Sequence, residues 1–152
     1  MIVKSGYLSI LRVKKSDELK FLNLTKNYLR EILKKKISKE KYNSNFKKIQ
    51  KNRGKIFWIL KKNFKIGFVV IYINKDFRAK NKNCYIRDIY IKKNFRLKKF
   101  GKTVVGKIIE YFIKKKFNFI KIDILPTNKK VIKFWSKFDF KKRGKSYYLS
   151  LK

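Results

Sequence analysis

The residues with the clearest chemical use lie in a turn, Arg96-Leu97-Lys98-Lys99-Phe100-Gly101, with Lys102 directly after it. An apolar pattern over Cys84–Ile91 precedes the turn and reads as a strand, and an amphipathic stretch over roughly Gly101–Lys115 follows it and reads as a helix. At a helix start, backbone N–H groups without internal partners and the positive end of the dipole favour an anion. Lys98, Lys99 and Lys102 add positive charge at the same point. The pattern points to a phosphate or pyrophosphate and leaves nucleotide, coenzyme A and sugar phosphate open. An ordinary strand-to-helix connection in a Lys-rich chain is the competing reading. No run of two glycines followed by Lys-Ser or Lys-Thr occurs, which argues against a P-loop nucleotide hydrolase.

The absent residue types narrow the chemistry further. The chain has no His, so neither a Ser-His-Asp nor a Cys-His arrangement exists, nor any His-ligated metal site. No metal is expected. Cys84 is the only cysteine, which rules out an intrachain disulfide and fits a reducing, cytoplasmic setting. It lies in an apolar strand pattern and reads as a small core residue.

Net charge is +36, from 45 basic and 9 acidic residues. Such a balance would ordinarily suggest a nucleic acid or an acidic surface as partner. Here Lys travels with abundant Ile, Asn, Phe and Tyr, while Ala occurs once, at Ala79, and Pro once, at Pro126. Residues with AT-rich codons are inflated, as an AT-rich gene would make them whatever its function. Nucleic acid is therefore not the expected partner. The longest run without polar residues, Ile66–Ile73, is far short of the ~20 a membrane helix needs. Nor does the N-terminus have the layout of a secretion signal.

The elements that would position the turn are legible in outline. Residues 1–152 read as a single domain. Tyr7–Val13 reads as a strand. Ser16, followed by Asp17 and Glu18, opens a helix to about Lys36 that carries Leu19, Leu22, Thr25, Leu29, Ile32 and Leu33. Ser38 opens a second helix through Tyr42, Phe46 and Ile49. Lys55–Leu60 and Lys65–Ile73 read as a β-hairpin and Asn74–Asn83 as a polar loop. Downstream of the turn, Val104, Val105, Ile108, Ile109 and Phe112 make one apolar stripe on the helix. Phe119–Leu125 alternates as a half-buried strand. Asn128 opens a further helix with Val131, Ile132, Phe134, Trp135 and Phe138. Phe138–Phe140 and Tyr147–Leu151 read as a closing hairpin. This order implies an α/β (α+β) fold with a mixed, mostly antiparallel sheet and helices on both faces.

Two stretches together resemble the GNAT superfamily of N-acetyltransferases. That family carries (Gln/Arg)-x-x-Gly-x-(Gly/Ala) at the strand-to-helix turn, where Arg96 and Gly101 fit the outer positions and Lys99 stands in place of Gly. It also carries Asn-x-x-Ala-x-x-x-Tyr-x-x-x-Gly-Phe. Asn128, Val131, Trp135, Asp139 and Phe140 occupy the corresponding places. The match is detailed over about Tyr85 to Phe140 and elsewhere rests on element order.

The resemblance implies a six- to seven-stranded sheet whose central strands splay apart, with acetyl-CoA as co-substrate in the cleft. Residues 96–102, from Arg96 to Lys102, would hold its pyrophosphate. Ile89, Tyr90 and Ile91 would offer main-chain groups to the pantetheine arm, as an added strand does. Asn128 would contact that arm or simply cap its helix. Trp135 takes the place of a Tyr that in many relatives protonates the leaving thiolate; an indole N–H donates a hydrogen bond but is no proton source at neutral pH. Asp123 occupies the place of a general base in relatives that acetylate protein N-termini, with Asp88 as a second candidate.

The implied reaction is direct attack of a primary amine, on a protein or a small molecule, within a ternary complex of a monomer or homodimer. Two alternatives stay open at this point. One is a coenzyme-binding relative without activity, given Lys99, Trp135 and Asp139; the other is a basic nucleic-acid-binding module.

Overall fold

A computed structural model of the chain describes residues 3–5, 7–33, 38–76 and 81–151. The strands are β1 (Val3–Ser5), β2 (Leu8–Arg12), β3 (Lys55–Lys61), β4 (Phe64–Asp76), β5 (Asn81–Ile91), β6 (Phe119–Asp123), β7 (Lys141–Arg143) and β8 (Ser146–Ser150). The helices are α1 (Glu18–Leu33), α2 (Lys39–Lys51), α3 (Phe100–Lys114) and α4 (Lys129–Trp135). The strands form one eight-stranded sheet in the order β1-β2-β3-β4-β5-β6-β8-β7. Every neighbouring pair is antiparallel except β5 and β6, which run parallel. The mixed, mostly antiparallel sheet therefore stands as expected, with the short β1 as an added strand.

Each face of the sheet is closed by its own apolar cluster. On one face the expected stripe of α3, Val104, Val105, Ile108 and Phe112, packs on Ile71, Cys84, Ile86, Ile120 and Ile122. On the other, Phe21, Leu22 and Leu24 of α1 and Phe46 and Ile49 of α2 cover Trp58, Phe68, Val70 and Tyr90. Covered on both sides, β3 and β4 read as nearly unbroken apolar runs, buried over 56–60 and 66–71.

Three expectations are corrected, and a fourth falls outside the described residues. The segment expected as a polar loop, Asn74–Asn83, supplies strand at both ends, with Asn74 paired to Asn83 and Asp76 to Asn81. The ladder outruns the apolar core there, so no hydrophobic alternation marks it; residues 77–80 lie outside those described. The end expected for α1, at about Lys36, likewise lies outside them. Phe138–Phe140 is not a strand: Ser136–Phe138 forms a short 3₁₀ turn, and Asp139 takes φ of 58°. Phe138 and Phe140 instead turn inward onto Trp135, leaving the exposed Lys141–Arg143 to form the edge strand. Asp17 does not open α1 directly either. It sits in a preceding 3₁₀ turn, accepting from Trp58 Nε1 at 3.1 Å and Lys65 Nζ at 2.7 Å.

Two features of β5 shape the centre of the sheet. Its parallel pairing with β6 covers only Asn83–Ile86 against Phe119–Ile122. Beyond Ile86, the β6-facing side of β5 has no strand partner among the described residues, so the central strands splay as expected. Opposite β4, Val70 pairs with Asp88 and Ile71 with Ile86, so Arg87 is an extra, bulged residue.

Close backbone approach locks the far end of this pair. A Cβ built on Gly67 would lie 2.0 Å from the Tyr90 carbonyl oxygen, whereas one on Gly106 in α3 would meet nothing within 4 Å. Gly67→Ala is expected to cost about 3 kcal/mol, because backbone rather than a side chain must yield. Gly106→Ala is expected to stabilise by up to about 1 kcal/mol through helix propensity. Urea unfolding of both variants checks the contrast.

Candidate functional site

The turn after β5 holds a conformation that glycine would adopt most easily, yet contains none until Gly101. Leu97 has φ of 60° and Lys99 φ of 61° and ψ of −3°, flanking Lys98. Left-handed backbone at a non-glycine costs about 1–2 kcal/mol and persists where the surroundings impose it. Left-handed residues in a turn can gather successive N–H groups into a concavity suited to an anion. Lys99 caps α3 without a side-chain bond, and the first amide here with a backbone partner is Thr103, donating to the Lys99 carbonyl at 3.1 Å. Lys98, Lys99 and Lys102 are exposed and pair with no acid among the described residues. Leu97 is fully exposed. Phe100 packs inward instead, stacking on Tyr7, and the Lys61 ammonium lies over the rings of Tyr7, Phe95 and Phe100.

Arg96 faces a different task from its lysine neighbours. Its Nε donates to the Ile91 carbonyl at 2.7 Å, its Nη2 meets Glu31 Oε2 at 2.7 Å, and its guanidinium covers the Tyr90 ring. The side chain thus ties the turn to α1 and the end of β5. Of the three β5 residues expected to offer main-chain groups, two turn those groups away from β4, the Ile91 carbonyl already accepting from Arg96. The Lys92 amide donates to Ile66 in β4, and strand alternation then turns the groups of Ile91 and Ile89 to the open, β6-facing side. The Tyr90 carbonyl faces Gly67 of β4.

The second stretch closes the corner. Asn128 caps α4, its Oδ1 accepting from the Val131 amide at 3.2 Å. A Cβ on Gly101 would stand 3.2 Å from the Phe134 ring and 3.8 Å from Ile91 Cδ1, so β5, α3 and α4 converge there. Trp135 is 5% exposed, packed among Phe134, Phe138 and Phe140. Both places where the resembled pattern has an inner glycine, Lys99 and Asp139, carry positive φ.

On the opposite face the bulge resets the strand alternation. Arg87 and Asp88 both turn toward the face covered by α1 and α2. There the Arg87 guanidinium reaches Tyr72, Asn45 and Asp88. Three carboxylates along this face each accept a tyrosine hydroxyl. Tyr28 donates to Asp88 at 2.7 Å, Tyr90 to Glu31 at 2.9 Å and Tyr85 to Asp123 at 2.8 Å. Burial, then the neighbouring carboxylate, raises all three phenols, Tyr90 to about 12, so each remains a donor at neutral pH.

Asp123 also accepts from Ser146 at 2.6 Å. Desolvation pushes its carboxyl up, but the bonds from Ser146 and Tyr85 and the charge of Lys121 outweigh it and hold it below the ordinary range. Burial raises the Cys84 thiol and leaves it unreactive. The described residues contain no group of His, Cys, Asp or Glu able to hold a metal, and no helix long and apolar enough to cross a membrane. Tyr28, Glu31, Tyr85 and Arg87 were not singled out by sequence. Their partners lie far along the chain, and no local signal announces the bulge.

The family model described as "Acetyltransferase (GNAT) family" matches residues 21–140. No curated protein matches the chain by sequence. Among solved structures, an aminoglycoside acetyltransferase from an uncultured soil metagenomic sample, in complex with sisomicin, superposes with a TM-score of 0.73 at 19% identity, covering 96% of this chain and 97% of that one. A GNAT-family acetyltransferase from Staphylococcus aureus Mu50 gives 0.71 at 15% identity, over 95% and 99%. A possible acetyltransferase from Clostridium difficile 630 gives 0.76 at 11% identity, over 91% and 93%. At these identities the likeness speaks to the fold.

The turn geometry and the Asp123 bonds each carry an expected outcome. Lys99→Gly is expected to be at least as stable as the parent, whereas the β-branched Lys99→Val should lose about 1–2 kcal/mol, read by urea unfolding. The depressed Asp123 carboxyl contributes stability above its unfolded value of about 3.9, lost as pH falls through the lower folded value. Asp123→Asn should therefore be less stable at neutral pH and converge with the parent at strongly acidic pH. Unfolding free energies measured across that window check this.

Proposed function

Because the chain belongs to the GNAT acetyltransferase family, we propose that it is an N-acetyltransferase that takes its acetyl group from acetyl-CoA and passes it to a primary amine. One observation carries the reading: the left-handed turn at Leu97 and Lys99 follows the stretch of β5 that has no strand partner on its β6 side among the described residues. The amides and ammonium groups of residues 97–102 suit a pyrophosphate. The main-chain groups of Ile89 and Ile91 suit the amides of a pantetheine arm, and Asn128, at the start of α4, is proposed to contact that arm. The co-substrate supplies a thioester whose carbonyl carbon bonds to the amine nitrogen as the C–S bond breaks, the sulfur leaving as thiolate.

Within this reading the protein's own part is positioning and proton removal. The chain has no His. The groups able to accept the amine's proton, directly or through water, are the carboxylates of the β5 face. Asp123 is ionised throughout the neutral range and remains the proposed base, with Asp88 as the alternative. Trp135 is proposed to pack beneath the site, which leaves thiolate protonation to water or solvent. That burial, with Lys99 and Asp139 in place of the pattern's glycines, favours the alternative of a coenzyme-binding relative without activity. The lone, buried Cys84 accords with a reducing cytoplasm. The aminoglycoside of the soil-metagenome neighbour is one example of an amine acceptor in this fold.

Acetyl-CoA at about a hundred times its dissociation constant should raise the melting temperature by roughly 5–10 °C. Thiol release should then appear with a panel of amines. Gly101→Leu, which fills the corner at Phe134, should remove the shift. Asp123→Asn should keep the shift and lower turnover about a hundredfold across pH 6–9. No shift with acetyl-CoA overturns the reading, and a shift without thiol release from any amine favours the inactive relative.

A further inference from the structure

A cavity of about 420 Å³ opens between α1 and the end of β5, on the sheet face opposite α3. Its size is that of a small-molecule site. Arg30 and Glu31 wall it from α1, and Tyr90, Lys92, Lys93 and Asn94 wall it from the strand and the turn after it. Glu31 is its one acid, and that carboxylate is already engaged on both oxygens, by Tyr90 and by Arg96. Arg30, Lys92 and Lys93 pair with no acid among the described residues. The lining therefore presents uncompensated positive charge and no free carboxylate. Such a lining repels a polycation and attracts an anionic group.

The cavity also borders the β5 edge proposed to take the pantetheine arm, and Asp88, the alternative base, lies on the same face of β5 two residues before Tyr90. Tyr90 contributes its side chain to the cavity wall, while its neighbours Ile89 and Ile91 turn main-chain groups to the open edge of β5. Successive Cα atoms lie only about 3.8 Å apart, so one strand borders both spaces.

Resting on the acetyltransferase reading above, we propose that this cavity is the acceptor pocket and that it selects small primary amines carrying a carboxylate or phosphate. The anionic group sits among Arg30, Lys92 and Lys93, which leaves the amine free to reach past Tyr90 toward the open edge.

Matched acceptors test this at low salt. Phosphoethanolamine is compared with ethanolamine, β-alanine with β-alaninamide, and spermidine serves as the polycation. In each pair the anionic member should have the higher kcat/KM, by roughly fivefold or more. The phosphate and carboxylate arms show which anion is preferred. The double variant Arg30→Ser/Lys93→Ser should bring the ratio close to one. Lys141→Ser/Lys142→Ser on β7 should leave it unchanged, separating the pocket from the general positive field. Equal or better use of the neutral amines or spermidine overturns the proposal, as does a preference that survives the Arg30/Lys93 variant. Binding decides the matter separately from turnover: phosphoethanolamine or β-alanine should raise the melting temperature without acetyl-CoA, and the Arg30/Lys93 variant should lose that rise. Absence of any such stabilisation also overturns the pocket. A chain that releases thiol with neutral amines alone refutes this acceptor class while leaving the acetyltransferase reading intact.

Discussion

Parallel pairing between β5 and β6 ends at Ile86 and Ile122, and the rest of the molecule is arranged around that ending. A strand buried in the middle of a sheet normally satisfies its N–H and C=O groups on both sides. Beyond Ile86, β5 has a strand partner on one side only among the described residues, and on the other side the Ile91 carbonyl accepts from Arg96. The β4 side compensates by fixing the strand firmly, through the bulge at Arg87 and the close approach of Gly67 to the Tyr90 carbonyl. The free side is thereby held at a constant place rather than collapsing onto β6.

The same strand separates two kinds of chemistry. Its edge and the turn beyond it present donors and positive charge, and among the described residues no acid pairs with the exposed lysines there. Its α1-facing side carries three tyrosine–carboxylate pairs, one of them reinforced by Arg87 and another by Arg96. In a chain with only 9 acidic residues, this face concentrates 3 of them, Glu31, Asp88 and Asp123. The bulge permits it, because without the extra residue the alternation would place Asp88 and Tyr85 on opposite faces.

What was legible in the sequence was local or periodic. The α3 stripe, the alternation of β6 and the Asn128 cap are short-range patterns with short-range causes. The turn's basic character was legible as well, though not that Leu97 would join Lys99 in left-handed backbone. What could not be read depends on contacts across the chain. Tyr28 and Asp88 lie 60 positions apart, and Tyr90 and Glu31 lie 59 apart. Arg96 was legible as a cation of the turn, but not that α1 brings Glu31 to it. The polar ends of β4 and β5 looked like loop because their residues carry no apolar rhythm.

The last strand of the sheet, β7, consists of Lys141, Lys142 and Arg143, all exposed. An edge strand leaves a row of unsatisfied amides and carbonyls that can template the addition of another chain. Here each residue of that row carries a cation. Two such edges brought to the roughly 5 Å spacing of paired strands would set like charges against one another. The lysine enrichment that gives this chain its high charge thus guards its outer border against fibrillar growth, and ends the sheet at a place where copies of the molecule repel.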